Sequence, residues 1–83
     1  MIDIEISDHA KEAMEDDGIS EDEIRQCIGH GKLEINQFVD GEKRYGNQLD
    51  LKDKKIMVIY TIRNKRHRVI TAYTIQRKHS WQP

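Results

Sequence analysis

Eighty-three residues suffice for one small domain and leave no room for a second. No apolar run approaches the ~18 residues of a membrane span, Met1-Ile2-Asp3-Ile4-Glu5 is no signal peptide, and the single cysteine, Cys27, has no internal disulfide partner, so a reducing cytoplasm is expected. The net charge of −1 hides a division: residues 1–31 hold two bases against ten acids, and residues 32–83 hold twelve bases against five.

Ile2-Asp3-Ile4-Glu5-Ile6 alternates strictly and predicts a short strand with one apolar face. Ser7 or Asp8 then caps a helix running to about Asp16, with Ala10, Ala13 and Met14 on its inward face. Gly18 stands where a left-handed residue closes a helix, and Ile19 can fold back on Met14. The second helix opens with the capping box Ser20-x-x-Glu23, buries Ile24, Cys27 and Ile28, and ends at Gly29 or Gly31. This helical pair is no DNA reader, because a recognition helix beginning Glu21-Asp22-Glu23 would be repelled by phosphate.

From Lys32 the period becomes two. Leu33, Ile35 and Val39 alternate, Asp40-Gly41 supplies a type I′ hairpin turn, and Arg44–Leu51 returns with Tyr45, Leu49 and Leu51 on one side. After a polar turn at 52–55, Ile56–Ile62 is apolar on both faces, as a central strand should be. Arg63–His67 turns the chain, and Val69–Ile75 runs back, again apolar on both sides. The expected fold is α+β. An N-terminal strand (available for a sheet edge) and a two-helix hairpin, residues 1–31, pack on a four-stranded antiparallel meander, residues 32–76, followed by a tail, 77–83.

Few motifs carry chemistry. Cys27-x-x-His30 pairs two ligand types at a helix end, but nothing supplies a second matched pair, so no metal is expected, and no cofactor fingerprint is present. Cys27 itself reads as a small core residue. His9 sits in the first turn of its helix, about 90–100° from the inward stripe, at the boundary between buried and wet. The positive helix end favours a neutral imidazole, which can serve as a general base. Equally, a histidine there can simply hydrogen-bond to the neighbouring strand.

Basic residues form the second constellation. Lys43 and Arg44 stand beside Tyr45, Arg63, Lys65, Arg66, His67 and Arg68 surround a hairpin, and Arg77, Lys78 and His79 with Trp81 close the chain. Cations interleaved with Tyr45, Tyr60 and Tyr73 are what an RNA-contacting sheet uses, and at least one of Tyr60 and Tyr73 should pack in the core. Charged hairpin tips also occur because turns are solvated and edges need protection, and the acidic and basic halves can neutralise each other across the fold.

The run Ser7-x-His9-Ala10-x-x-x-Met14-x-x-x-Gly18-Ile19-Ser20-x-x-x-Ile24, with Val69-Ile70-Thr71-Ala72-Tyr73, is similar to an uncharacterised small-domain family that opens on a Ser-x-His-Ala helix and closes on a Val-Ile-Thr-x-Tyr strand. That family resembles the RelE/barnase-like ribonucleases and toxins. The resemblance implies an RNA-cleaving or toxin-type function, with His9 as a candidate catalytic group and Arg44, Tyr45, Thr71 and Tyr73 beside it. It also implies RNA, or an antitoxin-like protein, as partner. Self-association through an uncovered sheet edge is a further expectation. Where the family commonly carries two arginines, this chain has Ala13 and Asp17. Their loss removes cations that would stabilise charge on phosphorus, which favours a non-catalytic or weakly active RNA- or protein-binding module over a metal-independent ribonuclease of toxin type using His9.

Overall fold

In the computed structural model, which describes residues 2–77, the caps read from the sequence act as local chemistry dictates. Ser7 is the N-cap of α1 (Asp8–Asp17), its hydroxyl accepting from the Ala10 amide at 3.1 Å. Gly18, at φ +66°, closes that helix, and the Ile19 amide donates back to the Met14 carbonyl at 2.8 Å. Ser20 and Glu23 form the reciprocal capping box of α2 (Glu21–His30), which Gly31 rather than Gly29 ends.

The strands are β1 (Ile4–Ile6), β2 (Lys32–Val39), β3 (Glu42–Asp50), β4 (Lys54–Arg63) and β5 (Arg66–Arg77). They form one sheet in the order β1-β5-β4-β3-β2. The four-stranded antiparallel meander is present, and β1 adds a fifth strand, parallel to β5, at one edge. Arg77 ends β5 opposite Lys54 and does not begin a tail, while Lys78, His79 and Trp81 lie outside the described residues.

Asp40 and Gly41 have φ of +53° and +77°, the left-handed pair that a type I′ turn needs. Asn64 and Lys65 repeat that geometry at +51° and +65° without a glycine, tying β4 to β5.

The core lies between the helices and one face of the sheet. Ala10, Met14, Ile24, Cys27 and Ile28 meet Ile56, Val58, Tyr60, Val69 and Ala72 there, with Tyr45, Leu49 and Leu51 packed at its margin. Tyr60 is thus the tyrosine that enters the core, and Tyr73 stays 42% exposed.

Strand pairing assigns every side chain to a face, because paired residues share a face and neighbours along a strand alternate. A bulge between Leu33 and Ile35 corrects the simple alternation expected of β2. Leu33 joins Asn36 and Phe38 on the helix side, whereas Ile35 and Val39 face the open side.

Each ten-residue helix spans about 15 Å, while twelve-residue β5 runs for about 40 Å. The helices therefore cover only part of the sheet. α1 packs on β5, and α2 packs on β3 and β4.

Candidate functional site

His9 is exposed, and its side chain makes no hydrogen bond or ion pair among the described residues. The boundary position and the bond to a neighbouring strand are both unrealised. The inward face of α1 is centred on Ala10 and Met14, with Ala13 only half-buried, which turns His9 about 120° away. The strand contact is made two residues earlier by Ser7, whose amide donates to the Val69 carbonyl at 3.2 Å and whose hydroxyl donates to that of Ile70 at 3.3 Å.

The sheet divides the remaining residues of the expected catalytic set. Tyr45 is paired with Tyr60 on the helix side and stacks on it at 5.5 Å between ring centroids. Arg44 is its neighbour in sequence and so faces the other way. Thr71 and Tyr73 pair with Ile59 and Met57 on that same open face. The structure thus gathers Arg44, Thr71 and Tyr73 on one side of the sheet, with Tyr45 and the His9-bearing helix on the other. Gly46 confirms the open face, since a Cβ there would meet Ile35 Cβ at 2.9 Å and Ile59 Cδ1 at 3.0 Å.

Asp17, one of the two positions where the resembled family carries arginine, has a definite task. Its Oδ2 accepts the Thr74 amide at 2.7 Å, and its backbone carbonyl accepts Arg77 Nη2 at 3.1 Å. A bulge between Lys55 and Ile56 lies beside Thr74, where the ladder is interrupted. Of the three acids crowding the end of α1, Asp17 is thus tied to the sheet through a backbone amide and its own carbonyl, and no ion pair to a basic side chain is formed by Glu15, Asp16 or Asp17 among the described residues. Lys54 completes the junction. Its buried ammonium donates to the Gly18 carbonyl at 2.6 Å and pairs with Glu23 Oε1 at 3.0 Å.

Of the cations expected to hold phosphate, Arg63, Arg66 and Arg68 are paired with carboxylates. Arg66 meets Asp3 at 3.2 Å and Glu5 at 3.9 Å, and Arg68 meets Glu5 at 2.9 Å. Arg63 is bound to Glu42, whose carboxyl is held below its usual range first by that hydrogen bond and further by the nearby guanidinium charges. A cleft of about 380 Å³ lined by Asp3, Glu5, Arg63, Asn64 and Arg66 lies within this web.

His67 packs its ring 5.4 Å from that of Tyr60, and its Nδ1 is buried without a hydrogen-bond partner among the described residues. Lys43 lies 5.5 Å over the Tyr45 ring. Lys43, Arg44 and Lys65 make no ion pair among the described residues. Lys78 lies outside them.

Two residues that pattern reading passed over hold the helices to the sheet. Asn47, buried on β3, donates through Nδ2 to the carbonyls of Cys27 at 3.2 Å and Ile28 at 3.3 Å, and its Oδ1 accepts the Tyr60 hydroxyl at 2.9 Å. Lys54 is the other. Cys27 is buried, donates to the Asn47 carbonyl, and has its thiol pushed up to about 11 by burial, which leaves it a core group and no nucleophile. Among the described residues no three His, Cys, Asp or Glu side chains converge as metal ligands, and no helix is long and apolar enough to cross a membrane.

The two sheet edges differ sharply. β1 is three residues long and guarded by Asp3, Glu5 and their arginines. β2 is eight residues long and, from Ile35 to Val39, carries no charge. Its helix-side face lies beyond the main helix contacts, leaving Leu33 50% and Phe38 73% exposed. Phe38, the chain's only phenylalanine, was legible as an apolar residue out of phase with Ile35 and Val39.

Residues 6–74 match the family described as Domain of unknown function (DUF4258). Neither the curated proteins nor the solved structures compared with the chain include a match. The comparisons thus carry a family, and not the relation to RelE/barnase-like ribonucleases that the opening motif implies.

Proposed function

Since the chain belongs to the DUF4258 family, whose description names no activity, we propose its role from its own geometry: a non-catalytic module that binds a polypeptide by strand addition along the outer edge of β2. The observation that carries this reading is the contrast between the two edges. An eight-residue edge strand whose last five residues carry no charge presents unpaired backbone groups to any extended chain, and proteins ordinarily shield such edges with charge or brevity. β1 is shielded in both ways, and β2 between Ile35 and Val39 in neither.

The alternatives, RNA binding and metal-independent cleavage of RNA with His9 as base, meet two obstacles. Arg63, Arg66 and Arg68 are already paired with carboxylates, so an RNA phosphate would have to displace an internal partner. Metal-free phosphodiester cleavage also requires a cation and a second proton-transfer group beside the base, and the sheet puts Arg44, Thr71 and Tyr73 on the face opposite the His9-bearing helix.

Affinity capture from a lysate of the parent cells tests the proposal, comparing the native chain with Phe38→Glu and Arg66→Ala. Captured polypeptides, the chain's own sequence included, should be retained by Arg66→Ala and lost by Phe38→Glu. Capture that ignores Phe38→Glu removes the β2 edge as the site. In parallel, mixed RNA should stay intact with or without chelator. Chelator-resistant cleavage that vanishes in His9→Ala would replace this reading with the enzymatic one.

A further inference from the structure

The edge that carries the proposed function has an internal symmetry that identifies an occupant. The bulge sets Glu34 aside, so seven residues of β2 remain in regular ladder positions: Lys32, Leu33, Ile35, Asn36, Gln37, Phe38 and Val39. Asn36 is the middle one. Leu33, Asn36 and Phe38 lie on the helix side, and Lys32, Ile35, Gln37 and Val39 on the open side.

We infer that the strand added to β2 is β2 of a second copy of this chain, antiparallel and centred on Asn36, giving one continuous ten-stranded sheet. This inference rests on the strand-addition reading above.

Pairing about Asn36 sets Leu33 opposite Phe38 of the second copy, Ile35 opposite Gln37, and Lys32 opposite Val39. Every pair joins two residues of the same face, which an antiparallel ladder requires. The two large apolar side chains that the fold leaves uncovered on this strand, Leu33 at 50% and Phe38 at 73% exposure, meet each other twice by symmetry. No acid stands in the ladder, because the bulge has taken Glu34 out of it.

The helix layer is compatible with this arrangement. With the two-fold axis perpendicular to the sheet, both copies keep their helices on the same side. Because α1 packs on β5 and α2 on β3 and β4, the paired β2 strands lie in a trough between the two helix layers. The two Leu33–Phe38 contacts occupy that trough. Pairing one residue out of this register would set helix-side residues against open-side ones, and pairing centred on Gln37 would separate Leu33 from Phe38.

Sedimentation equilibrium of the full chain between about 10 μM and about 1 mM tests the inference. The native chain should shift with concentration toward twice its 9.8 kDa mass. Leu33→Lys alone and Phe38→Glu alone should each weaken self-association by about tenfold or more. An equimolar mixture of the two variants should recover it, since one interface contact then becomes Lys opposite Glu and the other remains native Phe opposite Leu. Both positions are exposed, and matching circular dichroism melts check that the variants fold.

A native chain that stays monomeric throughout overturns the second copy as occupant. The lysate capture then decides the edge function separately. A dimer that survives both single variants overturns this interface, and with it the β2 edge as the self-associating surface. A dimer broken by both variants but not restored by mixing them overturns the register centred on Asn36.

Discussion

Replacing Lys54 by Met keeps the aliphatic stem in place and removes the ammonium that joins both helices to β4. Two unit charges 3.0 Å apart attract by about 5 kcal/mol at an effective dielectric near 20. Glu23 retains 24% side-chain exposure against 6% for Lys54, so water screening and the desolvation of the ammonium offset roughly half of that attraction. Losing the 2.6 Å bond to the Gly18 carbonyl adds about 1 kcal/mol. The expected net loss is about 3 kcal/mol, a large share of the roughly 4–12 kcal/mol that a domain of this length holds. Urea unfolding followed by circular dichroism measures it. A double-mutant cycle with Glu23→Gln, which removes the charge and can keep the capping-box bond to the Ser20 amide, should give a coupling of about 1–2 kcal/mol. A loss below about 1 kcal/mol for Lys54→Met, or a coupling near zero, would refute the assignment of this pair as the joint between hairpin and sheet.

Burial raises the Cys27 thiol from 9.0 to about 11, so on alkaline titration the unfolded chain loses this proton first. The thiol's contribution is therefore complete below about pH 9 and falls away as pH rises toward about 11, by up to about 3 kcal/mol in all. Urea midpoints measured between those limits should fall less steeply for Cys27→Ala than for the native chain. Tyr60, also raised by burial above all, keeps some slope in both, and equal slopes would contradict the thiol's part. Gly46→Ala places a methyl group within 3.0 Å of Ile35 and Ile59, including the immobile Ile35 Cβ, and should cost about 1–3 kcal/mol in thermal or urea melts. A neutral result would mean that β2 shifts freely over β3. Asp17→Arg restores a cation where the resembled family has one, yet deprives the Thr74 amide of its acceptor. It should destabilise the chain by about 2 kcal/mol and bring no RNA cleavage, and an unchanged melting temperature would show that the amide finds another acceptor.

Much of the fold was legible because its signals are local. Ser7, Gly18, and Ser20 with Glu23 act within one helical turn, and Asp40-Gly41 fixes a hairpin within two residues. The bulges were not legible. An extra residue such as Glu34 changes no local composition, and only pairing with β3 reveals that Leu33 has changed sides. Asn64-Lys65 took the left-handed turn without the glycine that announces it. Partners were least legible of all, since Arg66 and Asp3 are 63 positions apart and meet only because β1 lies beside β5. A list of cations along the chain therefore overstated the charge available to a ligand.

The charge division of the sequence acquires its meaning from that register. A polyanion-binding surface needs cations whose partners are solvent and counterions, because binding gains from counterion release. Here Asp3 and Glu5 are carried by the parallel edge strand to Arg66 and Arg68, Glu42 is carried by β3 to Arg63, and Asp17 and Gly18 offer carbonyls to Arg77 and Lys54. The contacts of Asp3 and Glu5 close the β1 edge and those of Asp17 and Gly18 fasten the helical hairpin, so residues of the acidic half occupy Arg66, Arg68, Arg77 and Lys54 of the basic one. The β2 edge receives none of this. The Lys32–Glu34 ion pair guards only the start of that strand; the five residues from Ile35 to Val39 carry no charge, Phe38 is exposed, and backbone groups along that edge are left for a partner strand to satisfy.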